Sequence, residues 1–146
     1  ANNGWSSETT VILQVTDSKG NVLLDNTPKL KQVLDPWATA NLNTMLKGVL
    51  EPGGTGVKAN IGRPAAGKTG TTSSERDVWF VGYVPQLATA VWIGNDDYGS
   101  MGKGITGGDF AAPVWRSFML KALENEPVKY FPAASKFNRP EPANVE

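Results

Sequence analysis

Residues 62–72 limit the possible folds more than any other part of the chain, because they fit two patterns that need different surroundings. Residues 62–69 satisfy the phosphate-binding pattern G-x-x-x-x-G-K-[ST], which lies between a buried strand and a helix. Lys68-Thr69-Gly70 also spells K-T-G, a tripeptide that lines the acyl-transfer site of one group of serine enzymes. The first pattern requires parallel strands joined by helical crossovers, whereas the second requires a strand at the edge of a cleft.

The flanking residues disfavour the phosphate-binding pattern. Residues 53–61 are too rich in glycine for a central parallel strand, and residues 70–74 have poor helix propensity. Without a following helix, the loop lacks the amide groups and the dipole that hold phosphate. Residues 91–96 imitate the apolar strand and aspartate of a magnesium site, but they belong to a predicted antiparallel hairpin. Nucleotide binding is therefore the least favoured function for this stretch.

Short apolar and β-branched runs predict antiparallel strands. Residues 17–21 are typical of a turn, and so is Pro85-Gln86, so each should join two strands into a hairpin. A glycine-rich loop is expected over residues 94–108. The predicted strands lie at residues 10–16, 22–24, 65–72, 78–84 and 87–93.

Two helices should pack on this sheet, which makes the expected fold class α+β. Asp35-Pro36 is typical of a helix start, and Pro52-Gly53-Gly54 of a helix end. The second helix is predicted over residues 111–124, with Pro113 in its first turn. The expected apolar faces are Leu42, Met45, Leu46, Val49 and Leu50 in the first helix, and Ala111, Val114, Trp115, Phe118 and Ala122 in the second.

Composition excludes several kinds of chemistry. The 146 residues contain no cysteine and no histidine, which excludes a thiol nucleophile, a Ser-His-Asp triad and an H-E-x-x-H zinc site. Acid–base work would fall to Lys, Tyr, Asp or Glu, which favours lysine-based serine chemistry. Fourteen basic and fourteen acidic residues balance, so no nucleic-acid partner is predicted. This chain also has no apolar run of the ~18 residues that a membrane span needs, and its length suits one modest domain or part of a larger one.

The K-T-G pattern suits the binding of a carboxylate at an open strand edge. Lys68 would present a positive charge, and the flanking threonine hydroxyls would add hydrogen bonds. Gly70 removes a side chain where a ligand must approach closely. An edge N–H that no neighbouring strand pairs can face a developing oxyanion.

With these motifs in order, the chain resembles the transpeptidase domain of class A (bifunctional) penicillin-binding proteins. The resemblance spans about residues 10–125, and it is specific because several motifs follow one another in the family's order. The motifs that carry it are Thr16-Asp17-Ser18-Lys19-Gly20-Asn21-Val22, Gly54-Thr55-Gly56, Arg63-Pro64-Ala65-Ala66-Gly67-Lys68-Thr69-Gly70-Thr71-Thr72, Asp77-Val78-Trp79-Phe80-Val81-Gly82-Tyr83, Ala90-Val91-Trp92-Ile93-Gly94-Asn95-Asp96-Asp97, Gly107-Gly108 and Ala111-Ala112-Pro113-Val114-Trp115.

The resemblance implies a partial β-lactamase/transpeptidase-like fold and serine-type D,D-transpeptidase chemistry. In this family a serine attacks the penultimate D-alanine of a peptidoglycan stem peptide and expels the terminal D-alanine. The acyl group then passes to an amine of a neighbouring strand, and β-lactams trap the acyl-enzyme. The implied partners are the D-Ala-D-Ala stem peptide and β-lactams, with no cofactor and no metal. The implied location is extracytoplasmic, in a membrane-anchored parent protein.

Site roles follow by motif position. Lys68 would steer and neutralise the substrate carboxylate, which the hydroxyls of Thr69 and Thr71 would also bind. The N–H of Thr71 would form half of the oxyanion hole, and Gly70 would keep the strand open to substrate. Lys68 and Thr71 are thus the expected catalytic residues, and Lys68, Thr69, Gly70 and Thr71 the expected substrate-binding residues.

The chain departs from the family in one important respect. The family's S-x-x-K and S-x-N motifs should precede K-T-G, and neither occurs before Lys68. Ser100-Met101-Gly102-Lys103 fits S-x-x-K but follows K-T-G inside a glycine-rich loop, so we interpret it as accidental. The expected organisation is a linker or edge at residues 1–9, the C-terminal half of a transpeptidase domain at residues 10–126, and a Pro-rich extended or disordered tail at residues 127–146. Such a half would not acylate alone and would need the N-terminal half as a partner.

Other residues are expected to be structural, and a second function stays open. Trp79, Phe80, Trp92 and Trp115 should pack in the core and sheet, and Tyr83 should pack as well. Asp96 and Asp97 should cap a loop or form salt bridges. The alternative function is a non-catalytic module that binds a peptide carboxylate or pairs with a partner through its strand edges.

Overall fold

The computed structural model describes residues 1–141, and the chain begins with two short antiparallel ribbons. The expected linker at residues 1–9 in fact contributes a strand, because Gly4, at φ +84°, turns the chain and its carbonyl accepts hydrogen bonds from two residues on the far side of the ribbon. In chain order the ribbon strands are β1 (Trp5–Ser6), β2 (Gln14–Thr16), β3 (Val22–Asp25) and β4 (Lys31–Gln32), with β1 paired to β4 and β2 to β3.

The β2–β3 hairpin confirms the turn at residues 17–21 but corrects the length of its first strand. The Asp17 carboxylate accepts hydrogen bonds from the backbone N–H groups of Lys19 and Asn21 and closes the turn. The predicted strand at residues 10–16 begins only at Gln14. Before it, the Ile12 carbonyl accepts hydrogen bonds from the Asn26 side-chain amide and the Thr10 hydroxyl, each at 3.0 Å. Local side-chain and turn hydrogen bonds have replaced sheet pairing there.

Helix α1 (Pro36–Lys47) starts where the sequence predicts, since the Asp35 carboxylate accepts a hydrogen bond of 2.8 Å from the N–H of Ala38. The predicted apolar face is only partly correct. Leu50 is buried and Val49 packs against the core. Leu42 is 50% exposed and Met45 is 70% exposed, whereas Ala40 and Asn43 are buried. A turn of 3-10 helix (Gly48–Leu50) follows α1, and another (Val57–Ala59) lies in the glycine-rich connection.

The centre of the molecule is a three-stranded antiparallel sheet. Its strands are β5 (Ala66–Thr71), β6 (Asp77–Val84) and β7 (Leu87–Gly94), in the order β5-β6-β7. The sequence predicts these strands and their pairing, including the tight turn at Pro85-Gln86, and the structure confirms them. In this arrangement β5 carries K-T-G along an outer edge of the sheet.

Helix α2 (Ala112–Ala122) covers one face of the sheet, after a single π-helical turn (Gly107–Ala111). Trp115 is completely buried, packs edge-on against Phe80 at a centroid distance of 5.2 Å, and donates from Nε1 to the Gly82 and Thr89 carbonyls. The predicted apolar face is only partly correct, because Val114 and Phe118 are about half exposed. The residues that α2 and its flanking turns bury are Ala111, Ala112, Trp115, Met119 and Leu123.

The described part of the Pro-rich tail has little regular secondary structure and packs on the body of the molecule. Phe131 lies edge-on to Tyr83 at 5.7 Å, and the Arg139 guanidinium lies 5.4 Å from the centre of the Trp37 ring. One turn of 3-10 helix (Ala134–Lys136) interrupts it. Residues 142–146 of the predicted tail lie outside the described residues. Within residues 1–141, each helix is too short or too polar to cross a bilayer.

Candidate active site

The K-T-G residues lie on β5, which is an outer strand of the three-stranded sheet. The Lys68 side chain is exposed, and its Nζ donates to the Thr69 carbonyl oxygen at 2.9 Å. That carbonyl therefore faces away from β6. Because the N–H and C=O of a strand residue point to the same side, and residues two apart share that side, the N–H of Thr71 faces the same open edge.

The Thr69 hydroxyl joins this edge to a neighbouring loop. Its Oγ1 lies 2.9 Å from the Oγ1 of Thr55 and 3.4 Å from the Nζ of Lys68. Thr55 lies between Gly54 and Gly56 in the glycine-rich connection before β5. The Thr69 hydroxyl therefore lies within hydrogen-bond distance of both the Lys68 ammonium and the Thr55 hydroxyl.

The turn that precedes α2 contacts Thr71 and Gly70 of β5. The backbone N–H of Gly107 donates to the Thr71 Oγ1 at 3.1 Å. A Cβ on Gly107 would overlap the Trp79 carbonyl oxygen and lie 2.5 Å from that of Gly70. Only glycine lets this turn lie flat on β5 and β6.

A salt bridge flanks the same turn. Lys58 Nζ donates to Asp109 Oδ1 at 2.8 Å, and the Thr106 hydroxyl donates to Asp109 Oδ2 at 2.7 Å. The hydrogen bond from Lys58, followed by that from Thr106 and the Lys58 charge, lowers the pKa of Asp109 below its ordinary value. The turn is therefore tied to the 3-10 turn just after Thr55.

Most of residues 62–72, the stretch that fits both the phosphate-binding pattern and K-T-G, forms strand β5. Lys68 and Thr69 lie inside β5, and the next element is a short 3-10 turn (Ser73–Glu75) before β6. A phosphate-binding loop would place them at the start of a helix, where free N–H groups hold the phosphates. The surroundings that phosphate binding requires are thus missing between residues 62 and 84.

The other residues singled out from the sequence do not converge on this edge. Ser100 and Lys103 lie in a non-helical loop, where Ser100 Oγ accepts a hydrogen bond from the N–H of Gly102. Asp97 caps a turn by accepting from the N–H of Gly99 at 2.9 Å, as expected of a loop cap.

Tyr83 is a packing residue, as predicted. Its hydroxyl donates to Asn43 Oδ1 at 2.7 Å, and burial raises the pKa of its phenol. A raised pKa makes Tyr83 a poorer base near neutral pH.

The prediction that four aromatic residues pack in the core and the sheet is confirmed. Phe80 and Trp115 are fully buried, but Trp79 is 41% exposed and Trp92 is 48% exposed. Trp79 and Trp92 face each other across β6 and β7, with their ring centres 6.3 Å apart, on the sheet face opposite α2. They pack within the sheet but belong to an uncovered surface.

The comparison with protein families shows which family the chain belongs to. A model described as "Penicillin binding protein transpeptidase domain" matches residues 1–119, well over half of the chain. The chain belongs to the penicillin-binding protein transpeptidase family. This match starts at residue 1, so it includes the stretch at residues 1–9 that the sequence predicts to be a linker or edge.

Individual relatives agree with the family and with the fold. Penicillin-binding protein 1A of Clostridium tetani is 42% identical over 130 residues, and the match covers 85% of this chain and 16% of that protein. The crystal structure of penicillin-binding protein 1A from Haemophilus influenzae matches with a TM-score of 0.69 and 26% identity, covering 92% of this chain and 26% of that one. The D,D-transpeptidase domain of a peptidoglycan glycosyltransferase from Eggerthella lenta matches with a TM-score of 0.59 and 26% identity, over 85% of this chain and 29% of that one.

These likenesses confirm the resemblance to the C-terminal part of a class A transpeptidase domain and the partial α+β transpeptidase fold. The chain spans less than a third of each of these proteins. In the sequence, Thr55 and Gly107 stand out only as matching letters of the family's motifs. Their contacts with Thr69 and Thr71 join residues 14 and 36 positions apart, which no local pattern in the sequence reveals.

Proposed function

We propose that the outer edge of β5 is one wall of a serine D,D-transpeptidase site. Lys68, with Thr69 and Thr71, binds the carboxylate of a stem peptide or a β-lactam, and the N–H of Thr71 supplies half of the oxyanion hole. The observation that carries this proposal is the bond from Lys68 Nζ to the Thr69 carbonyl, because it brings an ammonium onto an unpaired strand edge beside a hydroxyl and outward N–H groups.

The charges near this edge suit an anionic ligand. Lys68 makes no salt bridge within residues 1–141, so its charge is available to a ligand. The nearby Asp109 carboxylate is paired with Lys58, which reduces its repulsion of an incoming carboxylate. An ammonium and two hydroxyls can therefore bind a carboxylate through charge-assisted hydrogen bonds.

The nucleophilic serine, which becomes acylated, comes from outside this chain. A serine hydroxyl gives up its proton as its oxygen forms a bond to the carbonyl carbon of the penultimate D-alanine. The C–N bond to the terminal D-alanine then breaks as that nitrogen takes up a proton. In the tetrahedral intermediate the carbonyl oxygen carries negative charge, which the N–H of Thr71 stabilises. An amine of a second stem peptide then displaces the serine. The site lies on the extracytoplasmic side, where peptidoglycan is built, in a membrane-anchored parent protein.

Penicillin labelling of the full-length protein tests the proposal. The rate constant for acylation by a fluorescent penicillin should fall about 10²- to 10³-fold in Lys68→Ala, because one preorganised electrostatic partner is lost. Lys121→Ala is the matched control, since Lys121 is an exposed lysine on α2 whose salt bridge is local and surface-exposed. It should acylate at the wild-type rate. The isolated 146-residue chain should not label.

Three outcomes would contradict the proposal. Equal labelling rates for Lys68→Ala and wild type would show that Lys68 of K-T-G does not take part in acylation. If the isolated chain binds a D-Ala-D-Ala peptide but the full-length protein never labels with penicillin, the alternative of a non-catalytic peptide-binding module is supported. ATP affinity that Lys68→Ala abolishes would instead support nucleotide binding.

A further inference from the structure

Thr55 lies outside K-T-G but touches it. Its Oγ1 lies 2.9 Å from the Oγ1 of Thr69, and both side chains reach solvent at least in part. Either oxygen can be the donor in this pair, so the direction of the bond depends on what else the Thr69 hydroxyl contacts.

The donors near Thr69 fix that direction once an anion is bound. The Lys68 ammonium can only donate, and it lies 3.4 Å from the Thr69 oxygen. If Thr55 also donates to that oxygen, the Thr69 proton is free to point at a ligand. A carboxylate at the edge favours this arrangement, because it attracts the Thr69 proton and the resulting chain of hydrogen bonds is mutually polarised.

Thr55 is held firmly enough to do this. The N–H of Gly56 donates to the Val49 carbonyl at 2.9 Å, and a Cβ on Gly56 would lie 2.8 Å from the buried Phe80 ring. On the other side, a Cβ on Gly108 would overlap the Thr55 carbonyl oxygen. The backbone of Thr55 is therefore clamped between the core and the turn that precedes α2.

We infer that Thr55 is a positioning residue for the proposed carboxylate site. Its hydroxyl donates to Thr69 and so directs the Thr69 proton to the ligand carboxylate. The inference rests on the proposed function, since it requires a carboxylate on the open edge of β5. It adds a residue from a separate loop to the wall.

The test uses full-length protein and two matched β-lactams, a penicillin with a free carboxylate and its methyl ester. Thr55→Val keeps the size and branching of the side chain but removes the hydroxyl. It should lower the acylation rate constant for the free acid about 3- to 10-fold, the value of one hydrogen bond, and leave the rate for the ester unchanged. Thr55→Ser should restore the preference for the acid.

A control variant removes a hydroxyl elsewhere. Thr44→Val loses a hydroxyl that bonds the Ala40 carbonyl within α1, and it should preserve both rates. If Thr55→Val slows the acid and the ester equally, Thr55 acts only through the fold and the inference is wrong. It is also wrong if Thr55→Val keeps the full preference for the acid. Should wild type itself not prefer the acid, the proposed carboxylate site fails, and the Thr55 inference fails with it.

Discussion

At the scale of single residues, Gly107 shows how a backbone atom can orient a side chain in the proposed site. Its N–H donates to Thr71 Oγ1, and an N–H cannot accept in return. The Thr71 hydroxyl proton is therefore left free for another acceptor. The same turn lies so close to β5 and β6 that position 107 has no room for a side chain.

Gly107→Ala should accordingly be costly, whereas Gly48→Ala should not. At position 107 a methyl group meets the Gly70 carbonyl oxygen at 2.5 Å, and overpacking of this kind costs about 1–3 kcal/mol. Gly48 has helical dihedral angles (φ −58°, ψ −22°) and open space around its missing side chain, so alanine there should stabilise by about 0.4–1 kcal/mol. Thermal unfolding of both variants in the full-length protein, followed by tryptophan fluorescence, measures the difference. Equal stability of the two would show that the turn at Gly107 can move away at little cost.

The sequence predicts the proposed site only along the strand itself. Lys68 and Thr71 follow from a local motif, because strand geometry fixes which neighbours share an edge. Thr55 and Gly107 reach the motif through loops, and loop paths depend on packing against Phe80, Trp79 and the rest of the core. Such contacts appear only when the chain is folded.

At the scale of secondary-structure elements, Arg63 joins the entry of β5 to the end of α2. Its guanidinium donates to the carbonyl oxygens of Leu123 and Glu126, each at 3.2 Å, and to that of Pro127 at 2.6 Å. Carbonyls after the last helical turn have no partner inside the helix, and a guanidinium fork satisfies several at once. This contact explains why the start of the tail packs on the body of the molecule.

Arg63→Ala should release the tail. The loss of these hydrogen bonds, partly offset by water, is expected to cost about 1–2 kcal/mol and to raise the population of open tail about 5- to 30-fold. Limited trypsin digestion of the full-length protein, with mass spectrometry of cleavage after Lys129, measures that population. Arg76→Ala is the control, since the Arg76 guanidinium lies over the Tyr98 ring at 4.9 Å, away from the tail. Identical cleavage rates in the two variants would mean that other contacts hold the tail.

The positions of strands and helices are predicted better than the faces that they bury. Strand β6 is apolar on both faces, and the structure buries Val78, Phe80 and Val84 but leaves Trp79 and Val81 exposed, which the continuous apolar run does not predict. Helix α2 has apolar residues on both sides, so periodicity alone selects Val114 and Phe118 instead of Met119. The burial of Met119 beneath the sheet depends on how α2 is rotated, and packing of Trp115 sets that rotation.

At the scale of the whole molecule, the described chain leaves large apolar surfaces uncovered. Trp79, Val81 and Trp92 form an exposed stripe on the sheet face opposite α2, and Phe118 is half exposed on α2 itself. Surfaces of this kind usually mark an interface with another part of a protein. Because the chain matches only 16% of the Clostridium tetani relative, we expect the rest of the full-length protein to cover them.

Cysteine labelling can test that expectation, because the chain has no cysteine of its own. Val81→Cys should react with a maleimide in the isolated chain, where Val81 is 47% exposed, and at least ten-fold more slowly in the full-length protein, where another segment packs on the stripe. Lys121→Cys, at a side chain that is 81% exposed, should react at similar rates in both.

Sedimentation should find the isolated chain self-associated, because its apolar faces have no cover. A monodisperse isolated chain whose Val81→Cys variant reacts equally fast in both contexts would show that this face is a true outer surface.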